Sequence, residues 1–161
     1  MPGAPLPEGW QALPRRGALL AAAGAGLTLA LTLMLAVGGL SLVLRSGHLL
    51  ASGAVAAAAG LLVGGGFGWR RHRLTFWQLD GQGLAVRRGH LWQSDTRVPI
   101  SRVQHLDLRR GPLQRAAHLA TLVVHTAGSR FNTVAVAGLD QADAEHLRDR
   151  LAHQLDHDDG L

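Results

Sequence analysis

The sequence predicts an α+β membrane protein, in which a two-helix transmembrane hairpin precedes an antiparallel β-barrel or sandwich capped by a C-terminal helix. Three observations lead to this fold class. Two long runs near the start of the chain contain no Asp, Glu, Lys or Arg. The following part alternates apolar and polar residues, with a turn signal about every 8–12 residues. The last part repeats apolar residues at helical spacing.

The two uncharged runs are residues 17–44 and residues 49–69. A bilayer core about 30 Å thick is crossed by about 20 helical residues, so each run is long enough to span it. We assign residues 17–44 to transmembrane helix 1 and residues 49–69 to transmembrane helix 2, and we expect residues 1–16 to form a disordered N-terminal segment. A cleaved signal peptide is disfavoured, because its apolar region has only about 7–15 residues.

The arginines that flank the two runs indicate the orientation. Two precede the first run, three follow the second and one lies between the runs: Arg15, Arg16, Arg70, Arg71, Arg73 and Arg45. Because basic residues remain on the cytoplasmic side, we predict a multi-pass membrane protein with both termini in the cytoplasm. Trp10, Trp69 and Trp77 are expected near the membrane interfaces, where indole rings are favoured.

A stripe of small residues marks the second run. Gly60, Gly64 and Gly68 recur every fourth position, so they share one helix face and permit close approach of another backbone. We expect this face to pack on the first helix, and a contact between two copies of the chain is the alternative. The first run offers small residues at the same spacing, Gly24, Thr28 and Thr32.

The composition of the runs excludes some functions. Neither run contains an ionisable side chain. Pumps, channels and proton relays usually need such a group inside the membrane, so transport by this chain itself is disfavoured.

The second half of the chain is predicted to be one small domain, residues 74–155, followed by a polar tail, residues 156–161. Six strands are predicted, at residues 74–79, 84–88, 91–98, 103–108, 119–126 and 131–136. A loop is expected at residues 111–118. Asp140 is the predicted N-cap of the final helix. The apolar stripe of this helix consists of Ala144, Leu147, Leu151 and Leu155.

Several segments of this domain resemble a known family. They are VPISRVQH at residues 98–105, GPLQR at 111–115, LVVHTAG at 122–128 and AGL at 137–139. Over most of residues 77–155 the chain resembles the membrane-flanked bacterial PH-like domain proteins, the YdbS-like group. The resemblance implies a PH-like fold, a bent seven-stranded barrel capped by a C-terminal helix, and it does not imply an enzyme. His118 departs from the family, which often has glycine there, so the backbone path of that loop is expected to differ.

Histidines and candidate nucleophiles do not form a catalytic pattern. Of the nine histidines, only His153 and His157 have helical spacing beside acidic residues, and there we expect adventitious metal binding alone. No Ser–His–Asp arrangement is evident. We therefore predict no catalytic residue, no metal site and no cofactor, and the chain is not expected to be an enzyme. Nucleic-acid binding is disfavoured, because only 4% of the residues are aromatic.

Arginines are the candidate site residues. Arg109, Arg110 and Arg115 surround the Gly111-Pro112 loop, and Arg102 is nearby in the sequence. Each is expected to contact anionic lipid head groups, worth about 1 kcal/mol near an anionic membrane. The alternative is a solvated loop in a protein whose sixteen basic residues are all arginine. Strand alternation would place Gln104 on one face with Leu106.

Together with the resemblance, these observations predict a membrane-anchored, non-catalytic PH-like module for binding or scaffolding on the cytoplasmic face of the bacterial cell (inner) membrane. The alternative is an accessory subunit of a transport or export system. The expected partners are the lipid bilayer, its anionic head groups and a protein whose identity the sequence does not give.

Overall fold

The structure is a computed structural model that describes residues 9–45, 47–89, 92–127 and 133–158. The chain divides into two compact units. One is the helix pair, residues 18–72. The other, the β-domain, consists of the described residues of 1–17 and 73–161.

Two long apolar helices are confirmed near the start of the chain. Helix α1 spans Arg15–Val43 and helix α2 spans Leu49–Arg73. Both are long and apolar enough to cross a membrane. Only 11% and 22% of their most apolar stretches are buried. This exposure differs from that of a core helix in a soluble protein and suits helices surrounded by lipid.

The three glycines of α2 face α1 at backbone contact distance. A Cβ atom added to Gly60 would lie 2.5 Å from the Cα atom of Ala30. One added to Gly64 would lie 2.5 Å from the carbonyl oxygen of Ala25, and one on Gly68 would also collide with the α1 backbone. Because the colliding atoms are backbone atoms, a side chain cannot be accommodated by a rotamer change alone.

The face of α1 that meets these glycines differs from the one suggested by the sequence. It is built mainly from alanines together with Gly26, whereas a Cβ atom added to Gly24 would meet nothing within 4 Å. The hydroxyls of Thr28 and Thr32 each donate a 2.8 Å hydrogen bond to the carbonyl four residues earlier. These threonines therefore satisfy their polar groups within their own helix. Near the connection, the hydroxyls of Ser41 and Ser52 are 2.9 Å apart and join the two helices.

The described part of the β-domain contains two antiparallel sheets, with strand orders β1-β2-β3-β4 and β5-β6-β7. The strands are β1 (Gln11–Ala12), β2 (Thr75–Asp80), β3 (Gly83–Arg88), β4 (Ser94–Pro99), β5 (Val103–Arg109), β6 (Leu119–Thr126) and β7 (Thr133–Asp140). A 3₁₀ turn, Ile100–Arg102, joins the sheets, and a short helix α3, Pro112–Ala116, joins β5 to β6. Helix α4 spans Gln141–Asp158. The predicted α+β fold class is confirmed.

One core draws on both sheets and on α4. Fully buried side chains come from each of these parts, among them Leu84, Leu122 and Leu147. The predicted stripe of the last helix faces this core, since Leu147 and Leu151 are both fully buried. Trp77 was expected at a membrane interface, but it is 3% exposed and belongs to this core. Its position on β2 fixes it there, because alternate residues of that strand point inward.

The first strand comes from the segment before the apolar helices. In β1, Gln11 pairs with Trp77 of β2, and Leu13 is 4% exposed within the core. The guanidinium of Arg87 lies 4.2 Å from the ring centroid of Trp10. Residues 9–16 therefore differ from the disordered segment expected over residues 1–16, because a buried leucine and a strand pairing hold them. Residues 1–8 lie outside the described residues.

Most of the remaining boundaries agree with the prediction within two residues. Strand β7 continues four residues beyond the predicted end at residue 136, and α4 continues to Asp158, within the predicted tail. Strand β6 has the predicted limits, and the Asp140 carboxylate accepts a 3.1 Å hydrogen bond from the Ala142 N–H, as an N-cap does. Within the predicted loop, α3 forms one turn of helix that starts at Pro112. Proline is favoured at the first helical position, since its ring presets the backbone angle. The predicted strands at residues 91–98 and 131–136 begin outside the described residues.

A bulge in β5 changes which side chains face the core. Val103 pairs with Thr126 and His105 pairs with His125, so Gln104 is the extra residue between them. Gln104 and His105 are both exposed. The prediction that Gln104 shares a face with Leu106 is wrong, because Leu106 packs against the core. The extra residue shifts the alternation by one position.

Candidate functional site

An exposed cluster surrounds helix α3, and we name it the arginine tip: Arg109, Arg110, Leu113 and Arg115. The side chain of Arg109 is 66% exposed and Leu113 is 72% exposed. Arg115 lies in the last turn of α3 and is also exposed. The tip thus presents an apolar side chain flanked in sequence by arginines.

Hydrogen bonds fix the backbone of the tip. The N–H of Gly111 donates to Oε1 of Gln114 over 3.1 Å, which satisfies a donor at the start of α3. Nε2 of Gln114 donates to Oγ1 of Thr121 over 3.0 Å, which ties α3 to β6. These hydrogen bonds hold α3 in a conformation in which the side chain of Leu113 is exposed to solvent.

Two of the tip arginines contact acidic side chains. Nη2 of Arg110 lies 2.6 Å from Oε1 of Glu145 on α4, and the same oxygen accepts a 3.1 Å hydrogen bond from Gln141. Nη2 of Arg109 lies 3.5 Å from Oδ2 of Asp107. Arg110 thus connects the tip to α4, which leaves Arg109 and Arg115 as the more exposed cations.

Arg102 does not belong to this cluster. It precedes β5, whereas Arg109 ends that strand, so the length of β5 separates them by about 20 Å. Arg102 lines a depression of about 110 Å³ whose other walls include Arg97 and Thr126. The four arginines grouped by the sequence therefore lie at two ends of one strand.

Another arginine lies at the same end of the second sheet as the tip. Arg16 forms an ion pair with Asp140, the last residue of β7. Asp140 pairs with Leu119 at the start of β6, and Arg109 pairs with Thr121 two residues further along. This end of the sheet therefore carries cationic groups from two separate parts of the sequence.

A second polar cluster lies on the outer face of the second sheet: His105, Asp107 and His125. The two imidazole rings are stacked, with centroids 4.0 Å apart and an interplanar angle of 14°. Nε2 of His125 lies 3.2 Å from Oδ2 of Asp107. This hydrogen bond is the main reason why the pKa of the Asp107 carboxyl is lowered. One donor atom from each residue can be chosen so that all three lie within 4.8 Å of one another.

The sequence interpretation missed this cluster because it tested histidines mainly at helical spacing. His105 and Asp107 are two residues apart on a strand, and His125 is on the neighbouring strand of the sheet. A search for His and Asp two positions apart, next to a second His on an adjacent strand, would have found it. The pairing register would still have been needed, because the bulge at Gln104 sets it.

The comparison with known proteins covers both the apolar helices and most of the β-domain. The bacterial PH domain family matches residues 19–155. The chain belongs to this family. The UPF0699 transmembrane protein YdbS of Bacillus subtilis (strain 168) is 31% identical over 91 residues, which is 55% of each chain, so this protein spans about half the length of that relative. No solved structure matches at a significant level. The resemblance to the YdbS-like group is confirmed.

The PH domain of this chain has a first strand that lies outside the family match. The match begins at residue 19, whereas β1 is Gln11–Ala12. The PH domain therefore uses residues from before the apolar helices to extend its first sheet.

The backbone of His118, at a position where the resemblance implies glycine, adopts a conformation that favours glycine. Its backbone has φ of 52°, the left-handed region that glycine adopts without steric cost. Its carbonyl accepts a 3.1 Å hydrogen bond from the N–H of Gln141 at the start of α4. The chain thus makes, with a histidine, a turn for which glycine is the better residue.

Proposed function

We propose that this chain is a membrane-anchored, non-catalytic PH module that binds or scaffolds on the cytoplasmic face of a bacterial membrane. In this proposal the arginine tip contacts anionic lipid head groups, and the rest of the PH domain remains available to a protein partner. The observation that carries the proposal is the exposure of Leu113 beside the exposed Arg109 and Arg115.

The tip has the two kinds of side chain that a membrane interface favours. An exposed leucine gains by leaving water, since full burial of its side chain is worth about 1.5–3 kcal/mol. Each arginine near an anionic leaflet adds about 1 kcal/mol. Its aliphatic stem can also cover apolar surface while the charged head stays in water. Three such contributions are enough for a weak contact when the chain is already anchored by helices.

The pairing of β1 with β2 supports placing both flanks of the helix pair on one side of the membrane. β1 precedes α1 and β2 follows α2, yet they are neighbours in one sheet. If both helices span the bilayer, the chain must return to the side from which it started. The flanking arginines favour the cytoplasm as that side.

Reporter fusions test this orientation. We expect a fusion at Leu161 to be active only with a cytoplasmic reporter, and an insertion at Ser46 only with a periplasmic one. The physical reason is that five arginines flank the helix pair, whereas one lies in the segment that connects the two helices. A periplasmic reporter that is active at Leu161 would contradict the proposal.

The lipid contact is tested with the full chain in lipid nanodiscs. The chain has no cysteine, so Ala116→Cys provides one labelling position, on the exposed face of α3, for an environment-sensitive fluorophore. We expect a blue shift when phosphatidylglycerol replaces part of the neutral lipid. The shift should fade as salt rises from about 0.1 M to about 1 M, because the Debye length falls from about 10 Å to about 3 Å. A fragment that starts after α2 is unsuitable, since it lacks β1 and Leu13.

Two arginine variants serve as a matched pair in this assay. The double variant Arg109→Gln with Arg115→Gln should remove most of the blue shift, whereas Arg102→Gln at the other end of β5 should leave it unchanged. Exposed charges contribute little to stability, so all variants should remain folded. An equal loss of the blue shift in the double variant and in Arg102→Gln would show that the shift depends on the overall charge of the domain and not on the arginine tip. If the shift is absent from every lipid mixture, the tip is a solvated surface, and copurification of a stoichiometric transporter would then favour the accessory-subunit alternative.

A further inference from the structure

The outer face of the second sheet carries a compact set of nitrogen and oxygen donors, namely His105, Asp107 and His125. The bulge at Gln104 makes this set possible. It lets Val103 remain in the core while His105, two residues later, points outward opposite His125. Bulges often re-aim a side chain in this way beside functional sites. Asp107 follows His105 by two positions on the same strand, so it shares the outer face.

We propose that His105, Asp107 and His125 form a binding site for a divalent transition-metal ion of the Zn²⁺ class. Two imidazoles and one carboxylate match the ligand preference of Zn²⁺, Co²⁺ and Ni²⁺, whereas Ca²⁺ and Mg²⁺ prefer oxygen ligands alone. Three protein ligands leave the fourth tetrahedral position to water or to an incoming group. The proposal does not depend on the lipid contact of the arginine tip.

The distances are close to those of a tetrahedral site. Zn²⁺ binds nitrogen and oxygen at about 2.0–2.2 Å, which places two ligand atoms about 3.4 Å apart. The 3.2 Å separation of Nε2 of His125 from Oδ2 of Asp107 already fits this geometry. In such a site the ion replaces the proton that these two atoms share.

Only His105 must move to complete the site. Its ring is nearly parallel to that of His125, and an ion cannot lie in the planes of two parallel rings at once. His105 is exposed, so its ring can turn about its side-chain torsions without displacing core residues. The required rotation and the exposure predict moderate affinity.

One neighbouring side chain supports a ligand, and another opposes the ion. Oγ1 of Thr133 lies 3.5 Å from Nδ1 of His125, where it can accept a hydrogen bond while Nε2 faces the ion. A partner of this kind orients a metal ligand in proteins. Nη2 of Arg109 lies 3.5 Å from the same Asp107 oxygen that faces His125, and its positive charge competes with a metal ion for that oxygen, which is a second reason to expect moderate affinity.

The test uses the full chain in detergent, with any affinity tag removed. Because His153 and His157 have metal-binding spacing near the end of α4, the reference protein carries His153→Ala and His157→Ala. We expect calorimetric titration with Zn²⁺ to give one ion per chain with a dissociation constant of about 1–10 μM, and Co²⁺ to give the visible absorption of a tetrahedral site. A saturating ion should also raise the melting temperature, because it binds the folded state preferentially.

The variants decide whether these three residues hold the ion. His105→Ala, His125→Ala and Asp107→Asn should each weaken binding by about tenfold or more and remove the Co²⁺ absorption. His146 is an exposed residue of α4, and His146→Ala should change neither the Zn²⁺ affinity nor the Co²⁺ absorption. Asp107→Asn keeps the side-chain shape, and His105→Ala changes an exposed residue, so both should fold. Unchanged binding in these two variants, or no binding by the reference protein at about 100 μM Zn²⁺, would overturn the proposal.

Discussion

Gly64→Leu is expected to lower the thermal stability of the full chain in detergent, whereas Gly66→Leu is expected to leave it nearly unchanged. A Cβ atom at position 64 would lie 2.5 Å from a carbonyl oxygen of α1 and 3.0 Å from the Cα atom of Gly26. At position 66 a Cβ atom meets nothing within 4 Å. Overpacking costs about 1–3 kcal/mol, and here the upper end applies because the clash is with backbone.

The two variants are well matched. Both replace a glycine of α2 by the same residue, so their gain in helix propensity is equal. The expected difference is a fall in melting temperature of about 2–4 °C for each kcal/mol lost. Equal melting temperatures would contradict the close packing of α1 on α2. A change in oligomeric state with no loss of stability would instead favour the glycine face as a contact between two copies of the chain.

The second large effect is expected for Leu13→Ala. Leu13 precedes α1, yet it is 4% exposed in the core of the PH domain. Truncating a buried leucine costs about 2–5 kcal/mol, since the apolar contacts are lost and a cavity remains. We expect a lower melting temperature of the full chain and faster amide exchange in β2, the strand that pairs with β1.

Leu113→Ala is the control for this prediction. It makes the same chemical change at a position that is 72% exposed, so its effect on stability should be within about 0.5 kcal/mol. Identical melting temperatures for the two variants would show that the segment before α1 contributes nothing to the PH domain.

The sequence predicted the elements whose signal is local. Strand β6 was found at both ends because its strand-forming residues extend over eight positions, Leu119–Thr126. The apolar helices were found because helices of soluble proteins rarely remain free of charge over the thickness of a bilayer. The last helix was found from its cap and its leucine spacing.

The missed features depend on contacts between distant residues. β1 has two residues, Gln11–Ala12, and two residues have no period to recognise. Its formation depends on β2, which follows both apolar helices. The bulge at Gln104 is set by pairing with β6, so no pattern within β5 reveals it.

The same distinction between local and long-range features applies to the candidate site residues. Arg109, Arg110 and Arg115 are near one another in the sequence and flank or belong to α3 in the structure. Arg102 could be separated from them only with the direction of β5 known. The metal-ligand cluster required the register of β5 on β6. Sequence spacing alone therefore finds groups within a turn and misses groups across a sheet.

The pairing of β1 with β2 also makes the order of biosynthesis matter. β1 leaves the ribosome first, but its partner is made only after both apolar helices have been translated. If one helix failed to insert, the two strands would end on opposite sides of the bilayer, and β2 would keep an unpaired edge. Unpaired edges promote aggregation and expose a chain to degradation. If both helices span the bilayer, the first sheet can therefore be completed only in chains that return to the side on which β1 lies.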